Sequence, residues 1–384
     1  MTLLQDVRSG IAEEAKSEET QIDPQLELLD RLEREVPDEL RDVMPGIPRD
    51  PATERFYARE YPLRNWQKEY AAYTAWKNYS HLHITKPYKP EINERKELGK
   101  DSHKIKPAAN PIVEKDLTLA VRLKARELGI SLIGFAPYDS KYTYWESRKW
   151  VRFDTAIVLF QEQDYEATQK APLPETETAG YEAHLKMLRA QFELAEFIRA
   201  RGYHVQVHAM GQQAEVIQPN AVAAGLGQMG ANGQLLSPIF GSRSRLQMMT
   251  TDAPLRHDRP RDYGIPKLCE QCQVCVNRCP GRALNKERVQ WRGILKFKAA
   301  PSRCAPILTK YNNCSICVKT CPIQKYGYET VISHYKATGE ILGKGTDELE
   351  EYTLPDKGYF PTGQRPIFTK EELKTPGIKT NRGM

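Results

Sequence analysis

The chain has 384 residues, which at roughly 150 per domain leaves room for two or three domains and a sizeable core. Apolar residues are 40% and charged residues 28%, as in a globular protein with some polar, extended segments. The 56 Lys and Arg against 50 Asp and Glu leave a charge of +6, too diffuse to argue for a nucleic-acid partner.

No stretch approaches the ~20 apolar residues of a membrane span. The first thirty residues are acidic and lack the apolar core of a signal peptide, and no twin-arginine motif occurs, so a cytoplasmic location is expected. Residues 1–110 read as an extension. Acidic helical stretches come first, followed by the aromatic and proline-rich run RFYAREYPLRNWQKEYAAYTAWKNYSHLHITKPYKP. Those aromatics argue against a disordered tail, so the segment is expected to pack on the main body. His81 and His83 have metal-like spacing, but no carboxylate or cysteine is near in sequence, and a strand exposing both is expected.

A domain follows over 111–255. In DLTLAVRLKARELG, Leu117, Ala120, Val121 and Leu128 share a helical face, and Gly129 suits the C-terminal cap. ISLIGFAP and DTAIVLF read as buried strands. The Pro/Thr/Glu-rich stretch QKAPLPETETAG reads as a loop leading into the helix YEAHLKMLRAQFELAEFIRARG. YHVQVHA is a third strand, NAVAAGLG a short helix and RLQMMTT a fourth strand. Strands alternating with helices indicate an α/β domain. A cysteine-rich region spans 256–328, and residues 329–384 read as a polar tail of wrapping loops.

All eight cysteines lie between Cys269 and Cys321, which suits metal in a reducing compartment and not a disulfide scaffold. Cys269, Cys272, Cys275 and Cys279 with Pro280 form C-x2-C-x2-C-x3-C-P, the bacterial ferredoxin pattern. Cys304, a nine-residue gap, then Cys314, Cys317 and Cys321 with Pro322 form a second run. In two-cluster proteins the fourth cysteine of each run reaches the other cluster. The expected sets are therefore Cys269, Cys272, Cys275 and Cys321 for one 4Fe–4S cluster, and Cys304, Cys314, Cys317 and Cys279 for the other. Zinc is the rival, since C-x2-C pairs also suit tetrahedral sites. It does not account for four cysteines in one short run ending in Pro.

The segment GLGQMGANGQLLSPIFGSRSRLQMMTTDAPL (Gly225 to Leu255), just before the cysteines, resembles that of cobalamin-dependent reductive dehalogenases and, more distantly, of epoxyqueuosine reductases. The resemblance runs from about Asp116 to Gln324. The tail stretch GKGTDELEEYTLPDKGYFPTG looks like the end of the soluble, non-exported dehalogenases. The resemblance implies an α/β (α+β) nitroreductase-like, corrinoid-binding domain joined to a ferredoxin-like module with two 4Fe–4S clusters. Cobalamin would bind base-off without a protein ligand to cobalt. The chain accordingly has no Asp-x-His-x-x-Gly motif. Gly225, Gly227, Gly230 and Gly233 would let backbone approach a large flat ligand, and Asn232 could hydrogen-bond a corrin amide.

The implied reaction replaces a halogen of a small organohalide, such as a halophenol, by hydrogen. It consumes two electrons and one proton and releases halide. The family uses a Tyr donor supported by a basic residue. Tyr181 and His184 stand at i and i+3 of the helix and are the candidate donors. The family's Tyr position falls nearer His184, which is a departure. Arg245, the second Arg of Gly241-Ser-Arg243-Ser-Arg245, could hold the donor's anion. Gln212 falls where some dehalogenases have a polar Asn. Electrons would come from a separate ferredoxin, flavodoxin or reductase. The alternatives are an epoxyqueuosine reductase-like enzyme acting on tRNA and a two-cluster electron-transfer protein without catalysis.

Overall fold

The structure, a computed structural model, describes residues 23–42, 81–109, 111, 114–144, 147–211, 214–291 and 294–373. Helix α1 spans Pro24–Arg34 and α2 spans Thr118–Glu127. Strand β1 is Leu132–Pro137, β2 Thr155–Glu162, α3 Pro174–Arg199, β3 Val205–His208 and α4 Ile217–Ala223. The short pair β4 Gln228–Met229 and β5 Leu235–Leu236 precedes β6 Ser244–Thr251.

The long strands form one sheet in the order β1-β2-β6-β3, antiparallel throughout. Strands β2 and β3 therefore run the same way, linked by α3, with β6 inserted between them: a split β-α-β arrangement. The domain is thus mixed α+β. Alternation of helix and strand along the chain says nothing of strand direction. The apolar runs are continuous because both faces are covered. Ile133, Phe135, Ile157, Leu159 and Met249 face α2 and α3, meeting Val121, Leu188, Leu194 and Ile198. Leu132, Ala156, Val158, Phe160 and Met248 face the other way, onto α4 through Ile217, Ala221 and Val222. Each large side chain so buried contributes roughly 1.5–3 kcal/mol.

Helix α3 starts two turns before the expected Tyr181. Pro174 opens it, with Glu175 and Glu177 in the first turn. Proline is preorganised there and acidic side chains suit the positive end of the helix dipole, so PETETAG is helix and not loop.

The second half follows from the cysteine segment. Helix α5 is Ile265–Cys272, α6 Val274–Arg278, α7 Pro301–Lys310, α8 Ile316–Lys319, α9 Pro322–Tyr326 and α10 Tyr328–Thr338. The tail is more ordered than loops: α10 is followed by a hairpin of β7 Tyr352–Leu354 and β8 Gly358–Phe360. Tyr328, Val331, Ile332 and Tyr335 recur at i, i+3, i+4 and i+7 and are all buried. Gly339, at φ +72, ends that helix.

From the N-terminal segment, Leu29 and Leu32 of α1, with Val36 and Leu40, join one core with Leu268, Cys269, Cys272, Cys321, Val331 and Ile332. The Gln25 side chain pairs with both backbone groups of Ile133, covering the free edge of β1. Buried Arg122 pairs with Asp23 at 2.9 Å and Asp258 at 2.6 Å. Residues His81–Thr85 form a short helix and not a strand, with His83 exposed. Arg278, 1% exposed, donates to the carbonyls of Glu350 (2.8 Å), Phe360 (2.9 Å) and Gln364, tying the hairpin to the cysteine helices.

Candidate functional site

The eight cysteines sort into two fours. Cys269, Cys272, Cys275 and Cys321 line one pocket, closed by Leu236, Leu268, Pro322 and Ile323. Cys279, Cys304, Cys314 and Cys317 line part of a larger cavity. Each set takes one cysteine from the other run.

The two runs are built alike where their sequences match. Gln273 and Ser315, directly after Cys272 and Cys314, adopt the left-handed conformation at φ 57 and 59. That turn aims the amides of Val274 and Ile316 at the sulfurs of Cys272 and Cys314. Further amides reach Cys269 from Ala231, Cys321 from Ile323 and Gln324, and Cys279 from Ala283 at 3.3 Å. The runs differ at Tyr311, which stands three residues before Cys314 where the first run has Cys269. Its ring is buried and its hydroxyl donates to Asp356 at 2.7 Å. Cys304, nearly two turns earlier on α7, supplies the fourth thiol.

Burial, with neighbouring thiols adding to it, pushes Cys272 up to about 12 and Cys304 up to about 11. Burial likewise raises Cys269, Cys275, Cys314, Cys317 and Cys321. Four thiolates in one apolar pocket need a multivalent cationic group to exist at neutral pH. Among the described residues, no three His, Cys, Asp or Glu side chains are grouped as a single ion would need. The donor set fits an iron–sulfur cluster better than one zinc ion.

The larger cavity, about 540 Å³, brings the second cysteine set together with Tyr181, His184, Asn232, Gly233 and Arg245. A second cavity of about 520 Å³ is lined by Tyr144, Glu215, Ser242, Ser244 and Leu246. The two meet at Gln234 and Arg245, which line both. Together they offer room for a cofactor larger than either, at the upper end of the roughly 300–1,000 Å³ of ligand pockets.

Tyr181 is half-buried, its ring 5.6 Å from that of Tyr88 and 6.4 Å from that of His184. The Nδ1 of His184 is buried without a hydrogen-bond partner. Burial, with the Arg245 charge second, pushes the His184 pKa down to about 3. The ring is therefore neutral near pH 7 and is a poor proton donor. Burial also lowers Arg245, partly offset by Glu177 and Tyr181.

The other expected residues fare differently. At Gly225 a Cβ would stand 2.5 Å from the Arg259 carbonyl oxygen, at Gly227 2.2 Å from that of Leu236, and at Gly230 2.4 Å from the Leu236 side chain. These three glycines pack against protein, and none lines either cavity. Of the five residues expected to meet the cofactor there, Asn232 and Gly233 line the cavity. Asn232 also fastens its own turn, donating to Ser242 at 2.8 Å and accepting from the Gln234 amide at 3.0 Å. Gln212 lies outside the described residues.

Two cavity residues were not expected from sequence. Glu177 is buried and accepts from Asn313 at 2.9 Å. Burial raises its pKa, against the opposing pull of Asn313 and Arg245. Asn313 belongs to a run, Asn312 to Ser315, in which all four residues have positive φ. The acidic Thr/Glu-rich composition around Glu177 conceals the helix that carries it.

Comparison with known proteins bears on this arrangement. The tetrachloroethene reductive dehalogenase of Desulfitobacterium hafniense is 26% identical over 220 residues, 46% of this chain and 40% of that protein. The chain is similar to reductive dehalogenases. An epoxyqueuosine reductase of Lactococcus garvieae is 32% identical over 158 residues, 38% of this chain and 43% of that one. Solved structures of a reductive dehalogenase described as B12-dependent, and of a catabolic reductive dehalogenase with 3-bromo-4-hydroxybenzoic acid, each align over 74% of this chain. Both have a TM-score of 0.57 at 20% identity, over 47% and 46% of those chains. They share the fold. The chain thus spans less than half the length of each of these relatives. No family model matches it.

Proposed function

We propose that the chain is a reductive dehalogenase that replaces a halogen of a small organohalide, such as a halophenol, by hydrogen. It would use base-off cobalamin reduced through two 4Fe–4S clusters. Residues 111–255 would form a nitroreductase-like corrinoid domain and 256–328 a ferredoxin-like module. One observation carries the reading: the second cysteine set opens into the same cavity as Tyr181, His184 and Arg245.

Cys269, Cys272, Cys275 and Cys321 would hold one cluster, and Cys279, Cys304, Cys314 and Cys317 the other. The first set does not line the cavity and the second does, so electrons would enter at the first. Bound cobalamin would supply a strongly reducing cobalt centre for the carbon–halogen bond. Gln234, Ser242 and Ser244 stand where its amide-rich periphery could be held. The remaining chemistry belongs to the chain. Tyr181 donates the proton, since His184 is held neutral. Arg245 stabilises the phenolate left behind. Glu177 is a buried acid one helical turn before Tyr181. The electron donor would be a separate ferredoxin, flavodoxin or reductase in the cytoplasm.

The test is halide release from a halophenol panel, with a chemical reductant and the loaded protein. The reading expects halide and dehalogenated phenol in equal amounts, and no halide from any halogenated compound contradicts it. The identity to an epoxyqueuosine reductase supports a second reading, action on tRNA. That reading expects tight tRNA binding that weakens steeply with salt.

A further inference from the structure

Gly180 is the only glycine in the 26 residues of α3. A glycine inside a helix is less stable than alanine, and Gly180 needs no special backbone conformation, so its lack of a side chain calls for another reason. The reason is Arg245. A Cβ at Gly180 would stand 2.2 Å from Arg245 Nη2, 3.0 Å from Cζ and 3.2 Å from Nε. The guanidinium therefore packs against bare helix backbone, Nη2 foremost. Its Nη1 donates to the Ser244 carbonyl at 2.9 Å, fixing the other side. Arg245 comes from β6, where it pairs with Gln161 of β2, so the sheet delivers the side chain and the helix receives it. Tyr181 is the next residue along α3, and Arg245 lines both cavities.

We propose that Gly180 is a positioning residue whose bare α-carbon seats the Arg245 guanidinium beside Tyr181, where the two cavities meet. This rests on the reading above for its catalytic meaning and on the geometry alone for the seat. An added methyl must push the guanidinium outward by more than an ångström, since ordinary contact needs 3.4 Å or more. A displacement of about 1 Å in a catalytic site can cost on the order of a hundredfold in rate.

The test is Gly180→Ala in the cluster- and cobalamin-loaded protein. A crystal structure is expected to show the Arg245 guanidinium moved off α3 with the helix backbone unchanged. Melting temperature is expected to hold or rise, with iron and cobalt contents unchanged. The kcat of halide release is expected to fall about tenfold to a hundredfold. The pH limb of Tyr181 should move to higher pH, because a cation near a phenol lowers its pKa. In an Arg245→Ala background, Gly180→Ala should cost nothing further. A guanidinium still in place overturns the proposal. So does an unchanged rate and pH limb, or an equal loss in the Arg245→Ala background. If the wild-type protein releases no halide, the functional reading falls, while the crystal structure still decides the seat.

Discussion

Cys321 is encoded in the second cysteine run but stands with Cys269, Cys272 and Cys275. Cys279, of the first run, stands with Cys304, Cys314 and Cys317. Paired substitutions separate this crossed arrangement from an uncrossed one. Cys269→Ala with Cys321→Ala removes two ligands from one pocket and leaves the other whole. One intact cluster, about four iron per chain, should remain of about eight. Cys269→Ala with Cys279→Ala damages both pockets, and no intact cluster should remain. An uncrossed arrangement gives the reverse: the first pair damages both clusters and the second spares one. The assay is iron per chain together with the electron paramagnetic resonance of the reduced, anaerobically purified protein. A whole cluster in the Cys269/Cys279 pair and none in the Cys269/Cys321 pair would refute the crossing. Because the two variants share Cys269→Ala, a general folding defect from that change affects both.

Tyr181→Phe should lower kcat by about 10²–10⁴-fold, while His184→Gln should change it only a few-fold; comparable losses would return His184 to the donor role. His184 also has a stability consequence. Its folded pKa, about 3, lies below the ordinary value of 6.5, so its contribution is present above pH 6.5 and is lost as pH falls toward 3. Wild type should lose up to about 1.4 kcal/mol per pH unit below 6.5 that His184→Gln does not, as measured by denaturation at pH 7.5 and 5.5. Arg278→Ala should free the hairpin by removing three charge-assisted bonds to carbonyls, costing at least about 3 kcal/mol and speeding proteolysis after residue 338. Leu29→Ala, in the core shared with the cysteine helices, should cost about 2–5 kcal/mol and lower the melting temperature of the loaded protein.

Much of the fold is legible because burial leaves marks in composition. Continuous apolar runs such as Ala156 to Phe160 announce strands covered on both faces. Strand direction is not so marked, because it depends on where β6 inserts. The cysteine spacing carries its own geometry, and the nine-residue gap has a local counterpart in Tyr311, whose buried ring stands where the first run has Cys269. The site is less legible. Gly180 and Glu177 lie in a stretch whose Pro, Thr and Glu content suggests a loop, and the role of Gly180 depends on an arginine 65 residues away. The glycines of 225–230 differ in kind: the space where their side chains would stand is taken by Leu236 and Arg259.

The account stands or falls on what the two cavities hold. Cobalt and iron should be measured per chain in protein expressed anaerobically with cobalamin supplied. The account predicts about one cobalt and about eight iron. Iron without cobalt, even after reconstitution with cobalamin, would contradict it and leave a protein that only carries electrons.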